Sequence, residues 1–461
     1  MWQRTDVAAN NPDLKELGTT GLARFNGEIF EEFLPELRGP RWRKIVRQMI
    51  DNDSITGSLL FAIETLARTV KWNIVPKSEK NEDKQVAEFF KQALFEDQSQ
   101  TWDDTLSEIL SFLPWGWSNL EILYKRRGGD VNDPTKRSRF TDGKIGWRRW
   151  SIRSQETLDR WQFDDDGGIQ AMQQIAPPDY QQRTIPINKS LLFRTKARKG
   201  SPEGQSILRT AYVPWYFKTN IMRIEGVGIE RDLAGLPTAW VPPQLLSSTA
   251  TAEEQSILAA IKKLVTGIKR DEQEGVIMPL AYDENGNKLY DLTLMNSGGQ
   301  RQFDTDKIIT RYEVRQLISC LADFILLGHD KVGSFALSTN KTGLFTLAMG
   351  SYLDSIADVI NRHAFTRLAK YNGFPAESVP TLQHDAIENV DLGELGTYVK
   401  VLNDAGALLF PTADGKMERY LQSQAGLPVP DEEQAQKNNQ SGNGKQSPSN
   451  DEEADDTEDE E

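Results

Sequence analysis

Residues 204 to 237 read GQSILRTAYVPWYFKTNIMRIEGVGIERDLAGLP. The stretch predicts one long helix over 206–233, ended by Ala-Gly-Leu-Pro, because glycine and proline close helices. Its apolar residues do not keep to one face. Leu208, Tyr212, Trp215, Thr219 and Met222 follow one stripe, Tyr216, Asn220, Ile224 and Val227 follow another, and Phe217 and Ile221 fill between them. A helix on the surface of a monomer carries a single apolar stripe. Two readings stay open: a helix buried in one large core, or a helix packed between neighbours in an oligomer. Pro214 predicts a kink or boundary, since it lacks an N–H to donate, and the Gly-Val-Gly at 226–228 predicts a loosened end.

Outward from this helix the chain alternates helix and strand. The run 41–76 is helical and closes in the strand VKWNIVP, with helices expected in DKQVAEFFKQALF and TWDDTLSEILSFLPWGWSN and a strand in LEILYKRR. Residues 145–200 are β-rich. After the opening stretch come a strand at TAWVPP and a capping box, Thr251 with Glu254, ahead of QSILAAIKKLVTGIKR. A hairpin follows around Asn285-Gly286. A second long helix is expected over 304–328, with Asp304 or Thr305 as N-cap and Gly328 as its stop. HDKVGSFALSTNKTG is a polar loop, and a third long helix begins at Leu344. The fold class expected is α+β, predominantly helical.

The 461 residues exceed one compact core. No apolar run of about 18 residues predicts a membrane span, and the first residues lack the pattern of a signal peptide. A single cysteine, Cys320, excludes an intrachain disulfide framework and suits a reducing compartment. Net charge is −14, of which 12 acidic and 2 basic residues over 431–461 supply −10. The body is therefore close to balanced, not the basic surface that grips nucleic acid by counterion release. From about Val429 the chain lacks apolar residues to offset ordering entropy, which predicts a disordered tail.

Signatures of chemistry are sparse. There is no phosphate-cradling GxxxxGK[ST] and no strand-following GxGxxG. His329, His363 and His384 share no metal-ligand spacing, and Cys320 lies beside Leu317 and Leu321 as a packed thiol. Asp164, Asp165 and Asp166 are candidates for a metal-dependent nuclease centre, against a solvated hairpin turn. Arg148, Arg149 and Arg153, with their tryptophans, are candidates for phosphate contact and stacking, against a salt-bridged strand face. No catalytic residue, metal or cofactor is assigned.

The opening stretch resembles the Gly-x-Ser-x-Leu-Arg, Ala-Tyr, Trp-Tyr, Lys, Glu-Arg, Ala-Gly-x-Pro signature of tailed-phage portal proteins, in the Mu-like branch. ITGSLLFAIETLARTVKWNIVP and DLGELGTYVKVLNDAGALL resemble further parts of that family, and the likeness runs collinearly over about 41–425. The resemblance implies a ring, typically of twelve subunits, at one capsid vertex of a virion assembled in the host cytoplasm. It implies partners: further copies of the chain, double-stranded DNA bound without sequence preference, the terminase large subunit, a head–tail adaptor and the major capsid protein. Mapped on this chain it gives an N-terminal arm (1–40), a wing (41–204), a first stem helix (205–233), a clip (234–303) and a second stem helix (304–328). A tunnel loop (329–343), a long wing helix (344–383), a crown (384–428) and an acidic tail (429–461) complete it. At ~1.5 Å per residue the second stem helix would be about 37 Å long. Lys331, Asn340 and Lys341 would face DNA. Tyr212, Trp215, Tyr216, Phe217, Arg223, Tyr312 and Arg315 would form the subunit interface of the stem. The alternatives are another head–tail connector or scaffold protein and, further off, the nuclease.

Overall fold

The helical run after Arg38 is two helices, and Asp53 divides them. α1 spans Gly39–Asn52 and α2 spans Ser54–Thr69. Asp53 is extended, and its carboxylate accepts the Thr56 amide at 3.0 Å and the Thr56 hydroxyl at 2.7 Å, capping α2. This computed structural model describes residues 18–234, 236–267, 282, 285, 286, 288, 290–295, 304–322, 335–387 and 400. In the arm the described residues form a hairpin, β1 (Arg24–Phe25) with β2 (Glu28–Ile29), and a 3-10 turn at Pro35–Leu37.

β3 (Trp72–Val75) precedes α3 (Asn81–Lys91), which widens into a π turn at Gln92–Glu96. Then come α4 (Trp102–Leu110) and the short α5 (Phe112–Trp115). Gly116, at φ 90, stops α5 in the left-handed region, so the helix expected to continue gives way to β4 (Trp117–Arg126). β5 (Ile145–Arg153), β6 (Leu158–Phe163), β7 (Ile169–Ile175), β8 (Gln182–Pro186) and β9 (Ser190–Arg194) follow. They build two antiparallel sheets, in the orders β5-β4-β9 and β6-β7-β8.

α6 (Tyr212–Ala234) leads into β10 (Leu236–Trp240), α7 (Ala252–Gly267) and β11 (Asp291–Met295), and β10 pairs antiparallel with β11. The capping box of α7 is reciprocal: the Thr251 amide donates to Glu254 at 2.7 Å, and the Glu254 amide donates to Thr251 Oγ1 at 3.3 Å. Around the Asn285-Gly286 turn, Tyr282 bridges Lys288 and Gly286 has φ 82. The strand expected before that turn lies outside the described residues. α8 (Thr305–Ser319) and α9 (Phe335–Val359) come next. α9 runs through a π turn at Ile360–Phe365 into α10 (Thr366–Asn372), and β12 (Thr381–His384) returns to pair antiparallel with β3.

One core joins these layers. Trp147 and Trp150 of β5 are fully buried, with ring centroids 5.2 Å apart and near-perpendicular planes. Phe365 stacks on Trp147, Phe90 meets both, and Trp102 links Trp150 to Trp72. Such edge-on contacts place ring edges against ring faces, which suits buried indole N–H groups that have no conventional acceptor. Leu317 and Ala322, at the end of α8, are buried in the same core. All elements named here belong to a unit of residues 1–387, and 388–461 is a separate unit. Beyond Ile387 the crown lies outside the described residues except for Lys400, and the whole acidic tail lies outside them.

Three expected boundaries change. α8 stops at Ser319, about 22 Å from its start rather than 37 Å. Leu321, at φ 59, takes the left-handed position, and the Ala322 amide returns to the Leu317 carbonyl at 2.9 Å. That closure satisfies end carbonyls without glycine, so α8 ends well before Gly328. The polar loop ends by Phe335, because Gly343 sits inside α9 without breaking it. Gly226 and Gly228 likewise lie inside a continuous α6.

Candidate functional site: the paired long helices

The Gly-x-Ser-x-Leu-Arg element is a joint. Gly204 packs backbone to backbone on Gly116, where a Cβ on Gly116 would lie 2.5 Å from the Gly204 carbonyl oxygen. Ser206 donates its hydroxyl to the Pro114 carbonyl at 2.5 Å and accepts the Leu208 amide at 3.0 Å, capping a 3-10 turn at Ile207–Arg209. Leu208 is buried with Met49 of α1 and Ala211. Arg209 forks onto Glu32 of the arm at 2.5 and 2.9 Å. Burial alone would raise the Glu32 pKa, but hydrogen bonds from Arg209 and Leu34, with the charge of Arg209, hold it below 4.5. Beside the joint lies a cavity of about 400 Å³ whose walls include Trp42, Trp115, Trp117 and Glu203. Glu203 accepts the Trp161 indole N–H at 3.0 Å, and burial pushes its pKa up.

α6 starts at Tyr212, so Pro214 falls in the first turn, where its missing N–H costs little. α6 and α8 run antiparallel. Phe217 stacks on Tyr312 with centroids 6.0 Å apart, Lys218 approaches Glu313 at 3.8 Å, and Glu225 meets Thr305. Both helices are fastened to the body at one buried point. Lys218 Nζ pairs with Asp53, and Gln316 Nε2 donates to the same carboxylate at 3.1 Å. The side chains of Lys218 and Asp53 are 2% and 5% exposed, so this ion pair is removed from water. The cap of α2 thus holds α6 and α8 together.

On both sides of this anchor along the helix, α6 presents apolar side chains to solvent. Val213, Tyr216, Phe217, Met222, Ile224, Val227 and Ile229 are exposed, Ile224 by 70%. Ile318 and Leu321 near the end of α8 are exposed as well. Single exposed apolar residues are ordinary, but a row along one helix marks a surface that something covers.

The other candidate centres resolve into structure. Asp164 accepts the Gly168 amide at 2.5 Å within the turn between β6 and β7. Among the described residues no group of three or more His, Cys, Asp or Glu side chains is placed to hold a metal ion. Trp147 and Trp150 are core residues rather than stacking platforms. Arg153 bonds Glu121 at 2.9 Å, Lys189 meets the same carboxylate at 2.7 Å, and Arg149 is exposed. Cys320 is partly buried against the core, and burial raises its thiol pKa. His384 lies 3.2 Å from Asp354 and His363 sits in the π turn, while His329 lies outside the described residues. No helix among the described residues is long and apolar enough to cross a membrane.

A family model described as the portal protein of Mu bacteriophage matches residues 43–426. The chain belongs to this family of phage portal proteins. Solved structures with a similar fold include the neck of an empty GTA particle computed with C6 symmetry (11% identity, 84% of this chain and 95% of that chain, TM-score 0.49). The virion of a native gene transfer agent particle is also similar (12% identity, 84% and 94% coverage, TM-score 0.48). So is the neck of a native GTA particle computed with C12 symmetry (11% identity, 84% and 94% coverage, TM-score 0.48).

In this portal protein the expected interface residues divide. Tyr212 is buried, and Trp215 packs beside Met49 and Leu208, so both serve the joint within the subunit. They lie in the first turn of α6, beside α1. Tyr216 and Phe217 are exposed, as are Arg223 and Arg315. Tyr312 is half-buried, with Arg315 5.9 Å and Arg311 5.4 Å from its ring. Lys331 lies outside the described residues. Asn340 and Lys341 fall within α9 rather than in a loop, and their side chains lie outside the described residues. The Asp53–Lys218–Gln316 cluster escaped sequence reasoning, although Asp53 three residues before Thr56 at a helix start was a visible capping signal.

Replacing Lys218 by alanine leaves Asp53 buried without its cation and should cost about 3–5 kcal/mol in urea unfolding. The double variant Asp53→Asn/Lys218→Met should lie closer to the parent than Lys218→Ala. A loss below about 1 kcal/mol would show that the pair does not anchor the helices. The Glu32–Arg209 pair predicts a pH dependence. Because the folded pKa of Glu32 is lowered from 4.5, its contribution is fully present above 4.5 and disappears as pH falls through the folded value. Amide exchange in the arm should therefore quicken below pH 4.5 in the parent, and Arg209→Ala should flatten that response. An unchanged response in the variant would contradict the assignment.

Proposed function

We propose that this portal protein assembles as a ring of about twelve copies at one capsid vertex, and that double-stranded DNA is packaged and ejected through the axial channel. The observation that carries this reading is the exposed apolar row on α6, rooted by a buried ion pair and left largely uncovered by the described residues of its own subunit. A neighbouring copy supplies the missing cover, and a ring gives every copy the same neighbour. In this reading α6 and α8 form the stem. The β10–β11 sheet with α7 belongs to the clip, which docks the terminase large subunit and later the head–tail adaptor. The elements around the aromatic core form the wing, which meets the major capsid protein, and residues 384–428 form the crown.

The balanced body suits a conduit. Each added phosphate contact along the channel itself would raise salt-dependent affinity and hold DNA that must slide. Lys331, Asn340 and Lys341, at and just beyond the segment between α8 and α9, are proposed to touch the backbone without reading sequence.

Two variants separate assembly from transport. Phe217→Glu/Ile224→Glu should leave the circular dichroism of the subunit unchanged and abolish the ring in size-exclusion chromatography. Lys331→Ala/Lys341→Ala should retain the ring and lower DNA packaging or retention in particles. Rings that persist in the first variant would remove α6 from the interface. Rings that fail to form in the second would make those lysines structural.

A further inference from the structure

A group of basic side chains stands apart from the paired helices. The π turn Ile360–Phe365 and the start of α10 carry Arg362, His363 and Arg367, and β9 ends in Arg194 beside them. Arg367 donates to the Ser190 carbonyl at 2.7 Å and to the Ile187 carbonyl at 3.2 Å. Arg194 donates to the Ser201 carbonyl at 2.7 Å. Both arginines are half-buried, yet among the described residues neither forms an ion pair with a carboxylate. The one acidic partner in the group is Asp358, 3.9 Å from Arg362.

The two half-buried arginines donate to backbone carbonyls and keep further guanidinium donors with which an anion can pair. A guanidinium has five N–H donors, and the bonds to carbonyls use one on Arg194 and two on Arg367. Burial, then the charges of Arg367, Arg362 and Arg194, lowers the His363 pKa.

We propose that Arg194, Arg362 and Arg367, with His363 among them, bind the phosphodiester backbone of duplex DNA at a second surface, separate in sequence from Lys331 and Lys341. The choice of DNA as occupant rests on the proposed conduit function. The chemistry rests on the cluster itself. Guanidinium forks match phosphate oxygens. Guanidinium contacts to phosphate carry no sequence information, so binding is blind to sequence.

The test uses the full chain and a fluorescent duplex of random sequence, about 30 base pairs long, with anisotropy read between about 50 and 200 mM salt. Arg362→Glu/His363→Gln changes two exposed side chains and should leave folding and assembly intact. It should weaken binding at low salt and cut the affinity ratio between the two salts by about threefold for every phosphate the variant no longer neutralises. Arg194→Gln, checked for folding by circular dichroism, should do the same. Unchanged affinity and salt slope in both folded variants would overturn the proposal. So would pyrophosphate binding that depends on the cluster while DNA binding does not. Light scattering on the same samples separates the two readings. A ring whose DNA binding ignores the variants refutes the cluster alone. A parent that never forms rings, while its DNA binding still depends on the cluster, refutes the conduit and keeps the cluster.

Discussion

A carboxylate at the head of α2 holds the two long helices on the body. Asp53 accepts from the Thr56 amide and hydroxyl, from Gln316 and from Lys218, so one buried side chain serves α2, α6 and α8 together. Burying a charge is expensive, and the cost is offset only when the remaining lone pairs find donors, as they do at Asp53. A cap that merely began α2 would have no need of the lysine, and a lysine on α6 facing solvent would have no need of the cap. Each makes sense as half of an anchor that fixes where the long helices leave the core.

The anchor also explains which part of α6 is free. The first turn is occupied by the joint: Gly204 against Gly116, Ser206 on Pro114, and Tyr212 and Trp215 close to α1. From Tyr216 onward the helix has its own subunit on one side only, at Lys218 and along α8. Much of what remains outward is apolar, with Thr219 and Arg223 interspersed. An apolar row displayed by a portal subunit is what a neighbouring copy would bury.

The sequence announced much of this fold and less of its site. Helix starts were readable because their chemistry is local: the capping box at Thr251 and Glu254, and the Asp304 cap, whose carboxylate takes the Lys307 amide at 3.2 Å. Helix ends were harder, because α8 closes on a left-handed leucine and α9 passes through Gly343. The two-sided apolar pattern of α6 was legible as a question about partners. Its answer depended on which residues the joint consumes, and that is set by contacts with residues far away in sequence, Met49, Pro114 and Gly116. The arginine and tryptophan cluster of β5 misled for a similar reason. A bulge opposite Leu123 and Tyr124, where Arg148 is the extra residue, breaks simple alternation and sends both Trp147 and Trp150 into the core, whereas Arg149 faces out.

The central claim is that the outward row of α6 is covered by an identical neighbour around an axis. Negative-stain imaging of the purified full-length chain tests it most directly. The account predicts annular particles with a central hole wide enough for duplex DNA. A population of isolated, folded single chains at every concentration and salt condition would contradict it.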